Sequence, residues 1–421
     1  MLRAIRLNVF RTVHSFSRNL LSPSDRKVHR RAYRSTPRHS AYTGISRPPV
    51  QYRRHSRKKS ARLLVLLLMG IVAGAISAGL FTTLRSKPIS GSSDAPESLV
   101  TRKQYPVYNI PSPPNFIPSE ALQTIVDGAV ELVQQQGLPT SQLSISLIDV
   151  SQPHYHTHAG HNHELLRYPA SVAKLFWAVL FLDLVETGVI TDESAFYVDL
   201  SNMMRVSDND SASRVVDAIT QTESGTTLEG KALETWLYKR DQLNRFFQDA
   251  GYEDIRLSMK NYPAPNLGPM PTGRDQQLWS ESEQSGGNQV TTDQAARLMY
   301  EVYTQQAISP LASTKIVHLL TRNLDPVAWQ EDELNSVEGF FSESLPTNLY
   351  FGSKIGYTRR SRQEVAFIKT SDNRTAYILA VFGTDPAYAE NEDIFPELSR
   401  YIFDRLNGVS PVLPPEALES N

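Results

Sequence analysis

Apolar positions along this chain fall into four kinds of run. The first is unbroken: residues 63–84, LLVLLLMGIVAGAISAGLFTTL, pass 22 positions without a charge. At about 1.5 Å per residue such a helix spans roughly 33 Å, enough to cross a bilayer core. The second kind has helical period. Ala121, Leu122, Ile125, Val126, Ala129, Val130 and Val133 share one helix face, and Gly137 ends the run. The third alternates. In QLSISLIDV, Leu143, Ile145 and Leu147 interleave with Ser144 and Ser146, which predicts a strand with one buried side. HYHTHAGH continues as a second strand. The fourth, SVAKLFWAVLFLDLVETG, is apolar nearly all round and too long for a strand. It predicts a buried central helix from Ser171 to Thr187, stopped at Gly188.

A mostly helical middle follows, over about 205–325. Strand texture returns in NLYFGSKIGYT, EVAFIKT and TAYILAVFGT, with SDNR as the turn between the last two, and a final helix falls at about 390–407. Helix, two strands, helices, three strands, helix is the order of an α+β domain. It predicts an antiparallel five-stranded sheet with flanking helices and an inserted helical lobe, preceded by one transmembrane helix. The segments are a tail at 1–62, the membrane helix at 63–84, a Pro/Ser-rich linker at 85–118, the globular domain at 119–409 and a short tail at 410–421. No internal repeat is visible.

Charge gives these segments an orientation. Residues 1–62 hold 17 Lys and Arg against one acid, Asp25, whereas residues 86–421 carry −18. The basic excess before the apolar run predicts a cytoplasmic N-terminus and an extracytoplasmic domain, on the periplasmic or cell-wall side. A cleavable secretory signal is the competing reading, with Ala73-Gly74-Ala75 as a mimic of a cleavage site. The long charged leader and long apolar part favour an uncleaved plasma-membrane anchor. Gly70 and Gly74 form a Gly-x-x-x-Gly that permits helix pairing. The tail itself has no sustained apolar period and reads as disordered, suited to contact with anionic lipid headgroups. No aromatic-basic pattern supports nucleic acid as its partner. The chain has no cysteine, which excludes disulfides, thiolate metal sites and cysteine nucleophiles.

Candidate chemistry begins at YPASVAKLF, where Ser171 and Lys174 stand three residues apart at the head of the buried helix. Ser24/Lys27 and Ser56/Lys59 share the spacing but lie in the basic tail, where no pocket can form. At the mouth of an apolar helix Lys174 faces the same side as Ser171 and can lose its proton readily. The serine amide, at a helix start, is free to point at a developing oxyanion. The bland alternative is an N-cap serine and a snorkelling lysine. Two further motifs weigh against it: Ser207-Asp208-Asn209 before a helical segment, and Lys354-Ile355-Gly356 on the first terminal strand.

Ser-x-x-Lys, Ser-Asp-Asn and Lys-x-Gly, in this order and on these elements, resemble the class A β-lactamase and penicillin-binding serine hydrolase family over about 119–409. A second Ser-Asp-Asn, Ser371-Asp372-Asn373, falls in a hairpin turn after the Lys-x-Gly strand. The resemblance implies a β-lactamase/transpeptidase-like fold and an acyl-serine route on β-lactams or D-Ala-D-Ala peptidoglycan stem peptides, with no cofactor. It implies that Ser171 is the nucleophile, that Lys174 is its base or proton relay, and that Ser207 passes a proton to the leaving nitrogen. Asn209, Lys354, Gly356 and Tyr357 then bind substrate, with the amides of Ser171 and Tyr357 as oxyanion donors. The chain departs from the family pattern twice. Ile355 lacks the hydroxyl that Thr or Ser would offer a substrate carboxylate. Asn261 and Tyr262 stand near the place of the lactamase water-activating glutamate. Asp275, Glu281 and Glu283 are the carboxylates downstream, with Glu281 as the candidate substitute. The resemblance also implies a trimmed helical lobe between Ser171 and Ser207. Two alternatives stay open: a catalytically weak or inactive peptidoglycan-binding module of the same fold, and a structural cap on a working basic tail.

Five of the ten histidines lie at 154, 156, 158, 161 and 163. Alternation on a strand would let His154, His156 and His158 face one way, toward Zn or Ni, or simply form a polar strand edge.

Overall fold

A computed structural model describes residues 108–110, 112–281, 287–332 and 334–408. The basic tail, the 63–84 run and residues 410–421 lie outside the described residues. Among the described residues no helix is long and apolar enough to cross a membrane.

The chain enters through β1 (Ile117–Pro118), α1 (Glu120–Gln135), β2 (Leu143–Gln152), β3 (Tyr155–His161) and α2 (Ala173–Glu186). The helical lobe holds α3 (Tyr197–Arg205), α4 (Asn209–Thr220), α5 (Gly230–Arg240), α6 (Gln242–Gln248), α7 (Gly273–Glu281), α8 (Thr292–Tyr303), α9 (Pro310–Leu320) and α10 (Pro326–Trp329). It returns through β4 (Leu349–Thr358), β5 (Ser361–Thr370) and β6 (Ala376–Gly383), then α11 (Pro386–Glu390) and α12 (Ile394–Leu406).

α1 forms because Ser119 caps it, accepting from the Leu122 amide at 3.2 Å, and because its stripe of Leu122, Val126, Ala129 and Val133 is buried. With α12 it covers one face of the sheet, packing on Leu143, Ile145, Leu147 and Val381. The other face meets α2 and α8. α2 is buried at every position from Ala173 to Leu184, as an apolar circumference requires.

Among the described residues the sheet has six strands in the order β1-β3-β2-β6-β5-β4 and is mixed, not five-stranded and antiparallel. The added strand is β1, which runs parallel to β3 and pairs Ile117 with Thr157 and Pro118 with His158. It hides in a Pro-rich stretch whose composition suggests a spacer, and an edge is where a strand tolerates a proline without an N–H. Tyr108, from the same stretch, is buried against Phe246 and Phe247 and donates to Glu301 Oε2 at 2.5 Å. β2 also differs from expectation: both of its sides are buried. Ser144 and Ser146 escape the cost of burial: Ser144 donates to Asn162 O (2.8 Å), and Ser146 donates to the Asp293 carboxylate, with Thr292 Oγ1 beside it at 3.0 Å.

Candidate active site

Ser171 sits in a single 3-10 turn, Ala170–Val172, that leads into α2. Pro169 precedes the turn, and Ala170 takes a left-handed backbone (φ +46°), uncommon for a residue with a Cβ. One turn on, Lys174 is fully buried. Its Nζ donates to Ser171 Oγ (2.9 Å), to Ser207 O (2.5 Å) and to Asn209 Oδ1 (2.6 Å). Every acceptor is neutral. Burial pushes the amine down to about 7, against a weaker pull upward from Asp208.

The Ser-Asp-Asn stretch divides its work by residue. Ser207 is left-handed (φ +62°), which lets its carbonyl meet Lys174 while its hydroxyl accepts from Lys354 Nζ at 2.6 Å. Asp208 caps α4, accepting from the Ser211 amide at 2.7 Å. Asn209, the first residue of α4, holds Lys174 with its oxygen and donates through Nδ2 to Pro263 O at 2.8 Å.

Lys354 lies on β4, the sheet edge, and is fully buried; it also donates to Ile355 O at 3.0 Å. Burial pushes its amine well down, and the charges of Lys174 and Arg322 push the same way. Gly356 explains how β4 comes so close to the serine. A Cβ there would lie 2.7 Å from Pro169 O and 3.0 Å from Ser171 N. Only a glycine permits that approach. Tyr357 follows, 41% exposed, with Arg362 over its ring and its hydroxyl donating to Ala389 O at 3.4 Å. Ile355 packs with the core on the α1/α12 face of the sheet.

Asn209, Lys354 and Gly356 therefore group around Ser171, Lys174 and Ser207, whereas the Tyr357 side chain meets Arg362 and Ala389. Sequence reasoning singled out Asn261 only for its place in the loop, and it missed Pro263, Arg322 and Glu364 altogether. Asn261 Nδ2 donates to Ala170 O at 3.3 Å, and Pro263 holds Asn209. Arg322, behind β4, donates to Met204 O and Ser353 O, both at 3.0 Å. Glu364 accepts from the Phe341 amide at 2.7 Å, and burial pushes its carboxyl up to about 7. None stands in a motif, and each is recognisable only from what surrounds it.

The loop carboxylates fare differently. Asp275 is 2% exposed, 3.7 Å from the Arg240 guanidinium. Tyr262 is held up by burial and by the Asp275 charge, and its hydroxyl meets Ser224. Glu281 ends α7, but its side chain, like all of Glu283, lies outside the described residues. The three alternating imidazoles do not assemble. His156 Nδ1 pairs with the Tyr300 hydroxyl (3.1 Å), while His158 turns to His163 and Asp293.

The Beta-lactamase enzyme family model matches residues 129–406. The chain belongs to this family. Among solved structures, a β-lactamase from Sphaerobacter thermophilus DSM 20745 is 15% identical with a TM-score of 0.47, covering 68% of this chain and 99% of that one. A structure titled PBP-A is 13% identical with a TM-score of 0.48, covering 70% and 99%. A representative class A β-lactamase from Bacteroides cellulosilyticus DSM 14838 is 14% identical with a TM-score of 0.48, covering 68% and 98%. No curated protein matches the chain.

Proposed function

We propose that this β-lactamase-family protein is a membrane-anchored serine hydrolase that forms an acyl-serine on Ser171 with β-lactams or D-Ala-D-Ala stem peptides. The observation that carries the reading is that Lys174 Nζ meets Ser171 Oγ (2.9 Å) and the Ser207 carbonyl (2.5 Å) while Lys354 Nζ meets the Ser207 hydroxyl (2.6 Å). An amine held near 7 without a carboxylate partner is in large part neutral at physiological pH. Neutral Lys174 takes the Ser171 proton as Oγ attacks the carbonyl carbon. The oxyanion faces the amides of Ser171 and Tyr357. Ser207 delivers its proton to the leaving nitrogen as the C–N bond breaks, and Lys354 restores it. Asn209 and Lys354 hold the substrate amide and carboxylate.

Release of the acyl group needs a polarised water. Among the described loop residues, Asp275 is engaged with Arg240 and Tyr262 is a poor base, so the acyl-enzyme is long-lived. That behaviour fits a penicillin-binding peptidase better than a lactamase. Residues 63–84 anchor the chain, the tail stays in the cytoplasm against anionic lipid, and the domain faces the cell wall.

Full-length protein in detergent, treated with a fluorescent penicillin, is expected to carry a label that survives denaturation and fades slowly. A protein that takes no label sinks the acyl-serine reading. For the orientation, protease added to intact cells should degrade the domain and spare the tail, and the reverse result overturns it.

A further inference from the structure

The histidine-rich strand feeds a second cluster, at the other end of the sheet. In the strand order, β2, β6 and β5 separate β3 from β4, which carries Lys354. His158 lies on β3, His163 two residues past its end, and Asp293 in the first turn of α8. Their nitrogen and carboxylate atoms all lie within 4.8 Å of one another, and no other such group of three occurs among the described residues.

The chain is shaped to bring them together. Asn162 is left-handed (φ +48°) and turns the backbone after β3, so that His163 folds back over Gly160. A Cβ on residue 160 would run into the His163 ring. Ser146, on neighbouring β2, donates to Asp293 Oδ1. This bond orients the carboxylate as an outer partner orients a metal ligand. His163 Nδ1 lies 2.5 Å from Asp293 Oδ2. His158 Nε2, itself buried, lies 3.0 Å from Oδ1 and so meets the same carboxylate from the other side.

Two imidazoles and a carboxylate converging on one point are a ligand set for a divalent cation. We propose that His158, His163 and Asp293 bind a first-row divalent metal ion of the zinc class. The ligand set excludes Ca²⁺ and Mg²⁺ as preferred ions, since those take oxygen ligands, and suits Zn²⁺, Ni²⁺ or Co²⁺. Tetrahedral Zn²⁺ with bonds of about 2.1 Å spaces its ligand atoms by about 3.4 Å. The cluster reaches this when the Asp293 side chain withdraws slightly from the two rings. Asp293 remains 33% exposed, which leaves a fourth position for water. The ion ties β3, the turn after it and α8 together, far in strand order from Ser171. It is thus a fold clamp, independent of the acyl-serine reading.

The test uses tag-free, chelator-treated full-length protein in detergent, titrated with zinc chloride. The expected result is one Zn²⁺ per chain at micromolar or lower free metal, with a rise in melting temperature. His158→Ala and Asp293→Asn should each weaken binding by about 10-fold or more, while His154→Ala and His156→Ala leave it unchanged. Failure of the unmodified chain to bind stoichiometrically overturns the proposal. So does equal affinity in the His158 and Asp293 variants, or loss that follows His154 and His156 instead. Should Asp293→Asn not fold, zinc-edge X-ray absorption of the unmodified chain decides. Two imidazoles and a carboxylate at about 2.0–2.2 Å support the site, and one imidazole or none refutes it.

Discussion

Lys174 and Lys260 are both buried, and burial pushes both amines down, yet their neighbours differ in kind. Lys260 Nζ meets the Asp217 carboxylate at 2.6 Å and Ser224 Oγ at 2.8 Å, and Arg240 lies between Asp217 (3.3 Å) and Asp275 (3.7 Å). That cluster matches two cations with two carboxylates. Lys174 meets a hydroxyl, a carbonyl and an amide oxygen, with Lys354 and Arg322 beyond. The first arrangement keeps a charge in place, because breaking a buried pair strands its partner. The second puts no carboxylate in contact, so burial outweighs the pull of Asp208 and the proton on Lys174 is easily lost. A base for serine needs the second arrangement, and a loop that must hold its shape needs the first.

The largest effect expected is total. Ser171→Ala should abolish penicillin labelling, while Ser24→Ala and Ser56→Ala should match the unmodified protein. Label on the Ser171 variant would remove the nucleophile. Next comes the amine. Lys174→Ala should slow acylation by about 10²–10⁴-fold in stopped-flow measurements. In the unmodified protein, acylation should climb about tenfold per pH unit below 7 and level off above it, because protonated Lys174 cannot accept the serine proton. Asn209→Asp gives Lys174 the carboxylate that Lys260 already has. Its profile should move to higher pH, and an unmoved profile would break the comparison.

Deacylation should lag behind an enzyme with a water-activating carboxylate by about 10²–10⁴-fold, so labelled protein should persist for minutes and nitrocefin hydrolysis should be feeble. Tyr262→Glu should speed release. Turnover by the unmodified protein at tens per second would point to another carboxylate, with Glu281→Gln the variant to measure. Smaller still, Gly356→Ala should cost acylation about 10- to 100-fold, since the added Cβ, 2.7 Å from Pro169 O, displaces β4 from the serine turn. The weakest effect on chemistry belongs to the Lys260 cluster. Asp217→Asn should cost about 3 kcal/mol and lower the melting temperature by roughly 5–10 °C, with labelling retained in the folded protein. Lost labelling at unchanged stability would make that cluster part of the reaction centre.

Strong periodicity is legible in the amino-acid pattern itself. The stripe of α1, the all-round apolar α2 with Gly188 at φ +73°, and the hairpin turn at 371–374 all follow from local pattern. β1 is not legible, because two residues in a Pro-rich stretch carry no period, and their strand character exists only beside β3. β2 misleads because serine reads as exposed until a partner for its hydroxyl is known. The motif residues of the site are legible by type and order, whereas Arg322 and Glu364 are not, and Asn261 is legible by place but not by its hold on Ala170 O.

Sequence alone determined what is local or compositional: the apolar run at 63–84, the charge asymmetry around it, the absence of cysteine, and the three motifs in order. Only the tertiary structure decided which groups share a low-dielectric space. Lys174 and Lys260 are the same side chain, but burial holds the amine of one near 7 with no carboxylate in hydrogen-bond contact, while the other meets the Asp217 carboxylate at 2.6 Å. His158 likewise meets His163 and Asp293 rather than His154 and His156. Separations along the chain fix neither outcome, since charge, desolvation and ligand convergence depend on distances of a few ångström between residues that folding alone brings together.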